Sequence, residues 1–278
     1  MTQLLPIPDE TPPKRQFGAF SIDCVSRGDL VAWFLRDAAR GWGRPKVVFD
    51  VNGQGLSLAR RDPRYAAAVA EADIIHADGG FLVTLSRWLA GPQIPERAAT
   101  TDMIHDFAAQ CAQTGHSFFL LGGEEAVNAK AAARLQEMYP GLRIAGRHHG
   151  YFSEVEEAEV ARLINRSGAD VVWVGMGKPR EQIISLRLRD RISARWIITA
   201  GGCFHFIAGE YRRAPAWMQK ANLEWAHRMI SRPRQLAWRY LTTNPHALWI
   251  ALRSPAADRG RQARPMPPVL ARIGSDQT

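Results

Sequence analysis

The sequence lacks the features on which membrane insertion, disulfide frameworks and many metal sites depend. No apolar run reaches the ~18 residues that a membrane-spanning helix needs. Cys24, Cys111 and Cys203 are far apart and form no CxxC pair, which argues against a disulfide framework or a zinc site. No Asp-x-Asp occurs, although paired carboxylates are usual in sugar-nucleotide enzymes that use a metal. We therefore expect a reduced, cytoplasmic protein that uses no metal and no cofactor.

Motifs of common nucleotide enzymes and hydrolases are missing too. There is no GxxxxGK[ST], so a P-loop is excluded, and no GxSxG, so a hydrolase nucleophile elbow is unsupported. Gly175-Met-Gly177 and Gly53-Gln-Gly55 begin like a dinucleotide fingerprint, but Arg180 and Leu58 stand where the third glycine belongs. A nicotinamide-dependent oxidoreductase is therefore disfavoured.

Acidic residues are scarce towards the C-terminus of the chain, which has a net charge of +9 and a pI near 10.0. Such a charge predicts an anionic partner: nucleic acid, anionic lipid or a phosphorylated substrate. Between Tyr211 and Arg253, eight Lys and Arg residues accompany one acid, Glu224, and four of the nine tryptophans. This composition is typical of a segment at a membrane interface. A solvated basic face with its aromatic residues in the core is the alternative.

Five apolar runs in the 278-residue chain each close on glycine, with helix-length segments between them. They are Lys46–Gly53, Asp73–Gly80, Ser117–Gly123, Asp170–Gly177 and Trp196–Gly202, and Leu142–Gly146 is a sixth candidate strand. The pattern predicts an α/β fold with a parallel sheet whose glycine-bearing loops share one edge. Ligands of open parallel sheets bind at the carboxyl ends of the strands, which is where Asp78 would lie.

The chain divides into four predicted parts. Residues 1–17 are expected to be a disordered leader, because they are proline-rich and lack the apolar region of a signal peptide. A catalytic domain follows over residues 18–209, and a basic, tryptophan-rich helical appendage over residues 210–253. The tail at 254–278 is rich in proline, arginine and glycine and is expected to be disordered.

Three of the predicted loops contain polar groups suited to chemistry on a sugar. Asp78 is a candidate general base, because a sugar hydroxyl that attacks needs a positioned proton acceptor; alternatively, it caps the following helix. Asp50 and Asn52 end the neighbouring strand, where they can hydrogen-bond a sugar or serve only the turn. The turn Gly175–Pro179 is a candidate phosphate cradle formed by backbone N–H groups at a helix N-terminus.

These residues stand in the order found in a known family. The blocks are Ala77-Asp-Gly79, Pro95-Glu-Arg97 with Asp102, Leu121-Gly-Gly123, Gly150-Tyr-Phe152, Asp170–Gln182, Gly202–Gly209, Arg213–Trp217, Leu223-Glu-Trp225, Arg228, Arg232-Pro233 and Arg239-Tyr240. Over about Phe17 to Tyr240 the chain resembles the WecG/TagA/CpsF family of bacterial glycosyltransferases.

The resemblance implies an inverting, metal-independent transferase with a Rossmann-like parallel sheet and helices on both faces. Its donor would be a UDP-sugar and its acceptor a polyprenyl-diphosphate-linked sugar at the cytoplasmic face of the inner membrane. The enzyme would act in surface or exopolysaccharide assembly. The helical C-terminal appendage would dock on membrane lipids and bring arginines over the active site.

The resemblance also implies roles for particular residues. Asp78 would be the catalytic base. The residues expected to bind substrate are Asn52, Asp50, Arg97, Asp102, Gly123, Gly177, Glu181 and Gln182. Arg213, Arg228 and Arg239 are expected on the diphosphate and membrane side.

The chain departs from the family pattern at four places. Asp50-Val-Asn52 replaces Thr-x-Asn, Pro179-Arg-Glu-Gln182 replaces Pro-Lys-Gln-Glu, Thr100 replaces a glycine, and Phe204-His-Phe206 replaces Phe-Asp-Phe. The transferred sugar is therefore left open between an N-acetylhexosamine, its uronate and a hexose such as glucose. A non-catalytic partner of a polysaccharide assembly complex and a basic nucleic-acid-binding protein are the alternative functions. We expect no nucleic acid partner, because no recognised motif is present, and leave a homo-oligomer open.

Overall fold

The computed structural model describes residues 11–40, 43–215, 217–218, 224–231 and 233–253. Most of the predicted leader and all of the predicted tail lie outside the described residues.

The first described element is an antiparallel hairpin of β1 (Lys14–Phe17) and β2 (Phe20–Asp23). Gly18 makes its turn with a φ of 58°, a left-handed conformation that glycine adopts without strain. Phe17 and Phe20 are buried in the same core cluster. The predicted boundary of the leader at residue 17 is therefore wrong, because Lys14–Phe17 is paired and anchored by an aromatic side chain.

Six strands form the main sheet, and all of their pairings are parallel. They are β3 (Lys46–Val51), β4 (Ile74–Ala77), β5 (Ser117–Gly122), β6 (Arg143–His148), β7 (Val171–Gly175) and β8 (Trp196–Thr199), in the spatial order β4-β3-β8-β7-β5-β6. The predicted parallel sheet is confirmed, and the sixth candidate strand is β6.

Helices of the described residues connect and flank these strands. They are α1 (Arg27–Arg40), α2 (Gly53–Ala59), α3 (Pro63–Ala70), α4 (Gly80–Trp88), α5 (Thr100–Thr114), α6 (Glu125–Met138), α7 (Glu157–Ser167), α8 (Arg180–Arg189), α9 (Cys203–Ile207), α10 (Glu224–Ser231) and α11 (Pro233–Leu252). None of the helices in the described part of the chain is long and apolar enough to cross a lipid bilayer.

The sheet separates two apolar cores because successive side chains of a strand point to opposite faces. In β5, Phe119 and Leu121 join one core, which also contains Leu188 of α8. Phe118 and Leu120 join the other core, which includes α1, α5 and α6. Helices therefore cover both faces, as predicted, and the strand ends are left to form a polar edge.

The last helix of the described residues, α11, packs against the first apolar core. It continues through Pro245, and beyond that residue Ala247 and Ala251 are buried in the first core. The His246 Nδ1 atom lies 2.9 Å from the hydroxyl of Ser57 in α2. The predicted boundary near residue 209 therefore does not mark the end of the packed core, since the last turns of the predicted appendage belong to it.

We expect Ala247→Asp to lower the free energy of unfolding by about 3 kcal/mol, the usual cost of an unpaired buried charge. The matched control is Leu248→Asp, because Leu248 follows Ala247 in the helix but has 38% of its surface exposed. This substitution should change the free energy of unfolding by no more than about 0.5 kcal/mol. Urea unfolding of both variants measures the difference. Equal losses of stability would contradict the packing of α11.

Candidate active site

Asp78 lies where β4 ends, at the edge of the sheet formed by the carboxyl ends of the strands, called here the carboxyl edge. Its backbone N–H donates to the carbonyl of Val51 at 3.0 Å, which continues the pairing of β4 with β3. The Asp78 side chain is half-buried. The sequence-predicted base is thus fixed in the backbone ladder but reaches the surface.

Two hydrogen bonds hold the carboxylate of Asp78. The side-chain amide of Asn52 donates to Oδ2 at 3.3 Å, and the backbone N–H of Thr100 donates to Oδ1 at 3.3 Å. The residue before α4 is Gly79, and its helix start has no side-chain cap. The interpretation that Asp78 caps the following helix is therefore wrong; instead, it accepts from the first residue of α5.

Asn52 serves the turn and the site together, because an amide carries both an acceptor and a donor. Its Oδ1 accepts from the N–H of Gly55 at 3.1 Å and caps α2, while its Nδ2 donates to Asp78. A Cβ on Gly79 would lie 3.3 Å from the Cβ of Asn52. The absence of a side chain at Gly79 thus permits the close approach of the two loops.

The turn predicted to cradle phosphate already holds a carboxylate of the protein. The buried Glu181 accepts from the N–H of Gly177 at 3.0 Å and from that of Gly201 at 2.9 Å. The N–H of Met176 approaches the same oxygen at 3.4 Å. The prediction of a phosphate cradle at Gly175–Pro179 is wrong in this structure, because Glu181 occupies those donors.

Asp50, Lys178 and Glu181 form a buried group of charges, called here the Lys178 cluster. The Lys178 ammonium contacts Asp50 directly and lies 3.7 Å from Glu181. The hydroxyl of Thr199 donates to Asp50 at 2.9 Å. Burial alone would raise the pKa of Asp50, but Lys178 outweighs it and the pKa lies below its ordinary value. The pKa of Lys178 is raised, because its carboxylate neighbours outweigh burial.

Asp50, Glu181 and Gln182, which were predicted to bind substrate, are buried in this structure. The exposed fractions of these residues are 3%, 0% and 0%, so their side chains lie beneath the carboxyl edge. Burial also raises the pKa of Glu181 to about 6, although Lys178 and the backbone N–H groups act in the opposite direction. Asp50 and Glu181 thus support the loops of the carboxyl edge through their contacts with Lys178 and with backbone N–H groups.

Glycines join the loops at the carboxyl edge by direct backbone contact. The N–H of Gly123 donates to the carbonyl of Gly175, and the N–H of Gly150 donates to the carbonyl of Gly123, each at 2.9 Å. A Cβ on Gly122 would lie 2.2 Å from the oxygen of Gly175, so no other residue fits there. Gly123, predicted to bind substrate, thus lies where the loops after β5, β6 and β7 meet.

Arg97, Asp102, Arg213 and Glu224 form a second group of charges, called here the four-charge cluster. Arg97 donates to Glu224 at 2.8 Å and to Asp102 at 3.2 Å. Arg213 donates to Asp102 at 2.8 Å and lies 3.5 Å from Glu224. The cluster joins the start of α10 to the start of α5. Asp102 lies in the first turn of α5, which begins after Ala99.

The chain is similar to known proteins over most of its length. The model of the glycosyl transferase WecG/TagA/CpsF family matches residues 15–261. The chain belongs to this family. It is 30% identical over 187 residues to the N-acetylglucosaminyldiphosphoundecaprenol N-acetyl-beta-D-mannosaminyltransferase of Bacillus spizizenii, which covers 67% of this chain and 71% of the relative. The predicted resemblance is confirmed, and the protein is a glycosyltransferase.

Two of the arginines predicted for the site have side chains that the structure does not describe, and two charged residues of the site were not predicted from the sequence. Arg228 lies in α10 and Arg239 in α11, but their side chains lie outside the described residues. Lys178 and Glu224 are the main additions. Both stand inside the blocks that resemble the family, yet their partners are remote in sequence. No local pattern therefore identified them.

Among the described residues, no group of three or more His, Cys, Asp or Glu side chains is arranged to hold a metal ion.

The raised pKa of Glu181 predicts a pH-dependent stability. Its ordinary pKa is 4.5 and its folded value is about 6, so the folded state binds the proton more tightly. The free energy of unfolding should therefore fall as pH rises from 4.5 to 6, by about 2 kcal/mol at about 1.4 kcal/mol per pKa unit. Glu181→Gln should remove this contribution.

Urea unfolding of the wild type and of Glu181→Gln at pH 4.5, 5, 6 and 7 measures the contribution of Glu181 to the free energy of unfolding. Because other groups titrate in both proteins, the difference between the two curves isolates Glu181. Parallel curves would contradict the assignment.

Proposed function

We propose that this family member is an inverting, metal-independent transferase that moves a hexose, an N-acetylhexosamine or its uronate from a UDP-sugar. The acceptor is a sugar linked to a polyprenyl diphosphate, and the reaction takes place at the cytoplasmic face of the inner membrane during surface polysaccharide assembly. The observation that carries the proposal is the Asp78 carboxylate, which reaches the carboxyl edge while Asn52 and Thr100 hold it.

In this mechanism Asp78 is the general base. It accepts the proton of the acceptor hydroxyl as that oxygen attacks the anomeric carbon of the donor. The bond from this carbon to the phosphate oxygen breaks, and UDP leaves with the electron pair. Attack opposite the leaving group inverts the anomeric centre. Asn52 keeps the carboxylate turned towards the acceptor, because its own orientation is fixed by the cap of α2.

The four-charge cluster supports a role for arginine at the diphosphates. Arg97 and Arg213 present two guanidinium groups next to the residues that begin α5, and Thr100 of this helix contacts Asp78. Guanidinium groups bind phosphate oxygens in bidentate fashion and stabilise charge that develops on a leaving group. A bound diphosphate would exchange with Asp102 and Glu224 as the partner of these arginines.

The basic, tryptophan-rich segment is proposed to hold the enzyme on the membrane. Trp217 is 65% exposed and Trp249 is 41% exposed, with the Arg253 guanidinium 4.4 Å from the ring centroid of Trp249. Each Lys or Arg near an anionic leaflet contributes about 1 kcal/mol, so several give reversible binding. Arg228 and Arg239 belong to this segment.

The relative from Bacillus spizizenii is named for transfer of N-acetylmannosamine to N-acetylglucosaminyl-diphosphoundecaprenol. The same acceptor class is proposed here. The donor is left to experiment, because Asp50 and Glu181 differ from the usual residues of the family.

The reaction is tested by measuring UDP release from a panel of UDP-sugars with a synthetic prenyl-diphosphate-sugar acceptor, with EDTA present. We expect acceptor-dependent release from one donor, unchanged by EDTA. Release that stops with EDTA and returns with a divalent cation would contradict metal independence. Absence of UDP binding by calorimetry would favour a non-catalytic partner.

We expect Asp78→Asn to lower kcat by about two to four orders of magnitude, the usual contribution of a general base. Its melting temperature should change little, because asparagine keeps the shape and one acceptor. Asp62→Asn is the matched control, since the Asp62 carboxylate accepts from Arg64 and Tyr65 at the start of α3 and not from Asn52 or Thr100, and asparagine caps equally well. Near-normal turnover of the Asp78 variant would refute the assignment.

For the membrane, we expect Arg228→Glu/Arg239→Glu to reduce co-sedimentation of the full chain with anionic vesicles. The control Lys130→Glu/Arg162→Glu makes the same change in net charge at exposed positions of α6 and α7. Truncation after Gly209 is unsuitable, because it also removes Ala247 and Ala251 from the core. Equal losses in the two double variants would contradict docking through this segment.

A further inference from the structure

We propose that Lys178 is a positioning residue for the catalytic Asp78, acting through Asp50 and the end of β3. The proposal rests on the function proposed above. It assigns Lys178 no contact with substrate, because only 6% of its side chain is exposed.

Lys178 joins three strand ends through its two carboxylate partners. Asp50 stands near the end of β3 and also accepts from Thr199 at the end of β8. Glu181 accepts from Gly177 in the loop after β7 and from Gly201 in the loop after β8. The ammonium therefore lies where the loops after β7 and β8 are tied to β3.

Asp50 is connected to Asp78 through the two residues that follow it, Val51 and Asn52. Asp50 precedes Asn52 by two residues, and Asn52 donates to the Asp78 carboxylate. Val51, between them, accepts from the N–H of Asp78. On the neighbouring strand, His76 is paired in register with Asp50 and precedes Asp78 by two residues. A shift of the end of β3 therefore moves the orientation of the base and its backbone support together.

The charges of the cluster make Lys178 necessary for this arrangement. Asp50 and Glu181 have 3% and 0% of their surface exposed, so water cannot compensate the loss of the ammonium. A buried charge that loses its partner is costly and forces protonation or movement. Asp50 is held by Lys178 and Thr199, whereas Glu181 keeps its backbone donors. Loss of Lys178 is therefore expected to displace Asp50 first.

The cluster also links two departures of this chain from the family pattern. Asp50 and Glu181 each place a carboxylate where the usual residue is uncharged, and Lys178 contacts both. The two substitutions thus form one compensated unit with Lys178. This explains how both carboxylates are retained beneath the carboxyl edge.

The test compares Lys178→Met, Asp50→Asn/Lys178→Met and the control Arg189→Met. Arg189 pairs with Asp73 at 2.6 Å and is 8% exposed, but this pair lies at the opposite edge of the sheet. We expect Lys178→Met to lower kcat by about 10- to 100-fold, the scale for a displaced catalytic group, with the KM for the donor changed less than about twofold. The control should melt at a lower temperature and keep its kcat.

The double variant separates positioning from simple stability, because it removes the unpaired carboxylate that Lys178→Met leaves at Asp50. We expect its melting temperature to recover while its kcat stays low, because neither substitution restores the ion pair that ties the end of β3 to the loop after β7. Recovery of kcat together with the melting temperature would overturn the proposal. An increase in the donor KM with kcat intact would also overturn it, since Lys178 would then bind the donor.

Backbone hydrogen exchange gives a readout that does not depend on turnover. Lys178→Met should speed exchange of the N–H groups of Asp78 and Thr100 by about tenfold or more, and Arg189→Met should leave it unchanged. The proposal would be overturned if exchange of these groups were unchanged in Lys178→Met, or if it were faster by the same factor in both variants. If the wild type shows no transfer, the proposed function fails, and these exchange rates still decide whether Lys178 orders the site.

Discussion

Charges buried at the carboxyl edge must be paired without help from water, and the site is built around this constraint. Parallel strands bring their ends together, so Asp50, Lys178 and Glu181 meet although they come from β3 and from the loop and helix after β7. Their pairing ties down the loops that surround Asn52 and Asp78. The carboxylate of Asp78, the proposed base, stays half-buried and accepts two hydrogen bonds of 3.3 Å. A general base requires rigid support from its neighbours and a side that the substrate can reach.

A second set of pairs joins the C-terminal segment to this framework. Glu224 at the start of α10 meets Arg97 and Arg213 beside the start of α5, and the end of α11 packs on α2 and the hairpin. The two arginines thus link α10 to α5, which supplies the Thr100 donor to Asp78, and α11 packs on α2, which Asn52 caps. A movement of this segment would therefore be transmitted to the carboxyl edge through these contacts.

Local patterns predicted most of the framework. The parallel strands, including the sixth candidate strand at Leu142–Gly146, follow from short apolar runs that close on glycine. The errors arose where remote contacts decide. Phe17 orders the end of the predicted leader by packing in the core, and Glu181 fills the turn that was expected to hold phosphate.

The sequence by itself determined the α/β class, the family, and the place of Asp78 at a strand end. Apolar runs that close on glycine, and motifs in a set order, are local properties of the chain. Only the tertiary structure decided the partners of the charges. Lys178 is 128 residues from Asp50, and Arg97 is 127 residues from Glu224. No local pattern encodes such pairs, because they exist only once the fold has brought strand ends, loops and helix starts that are distant in sequence together.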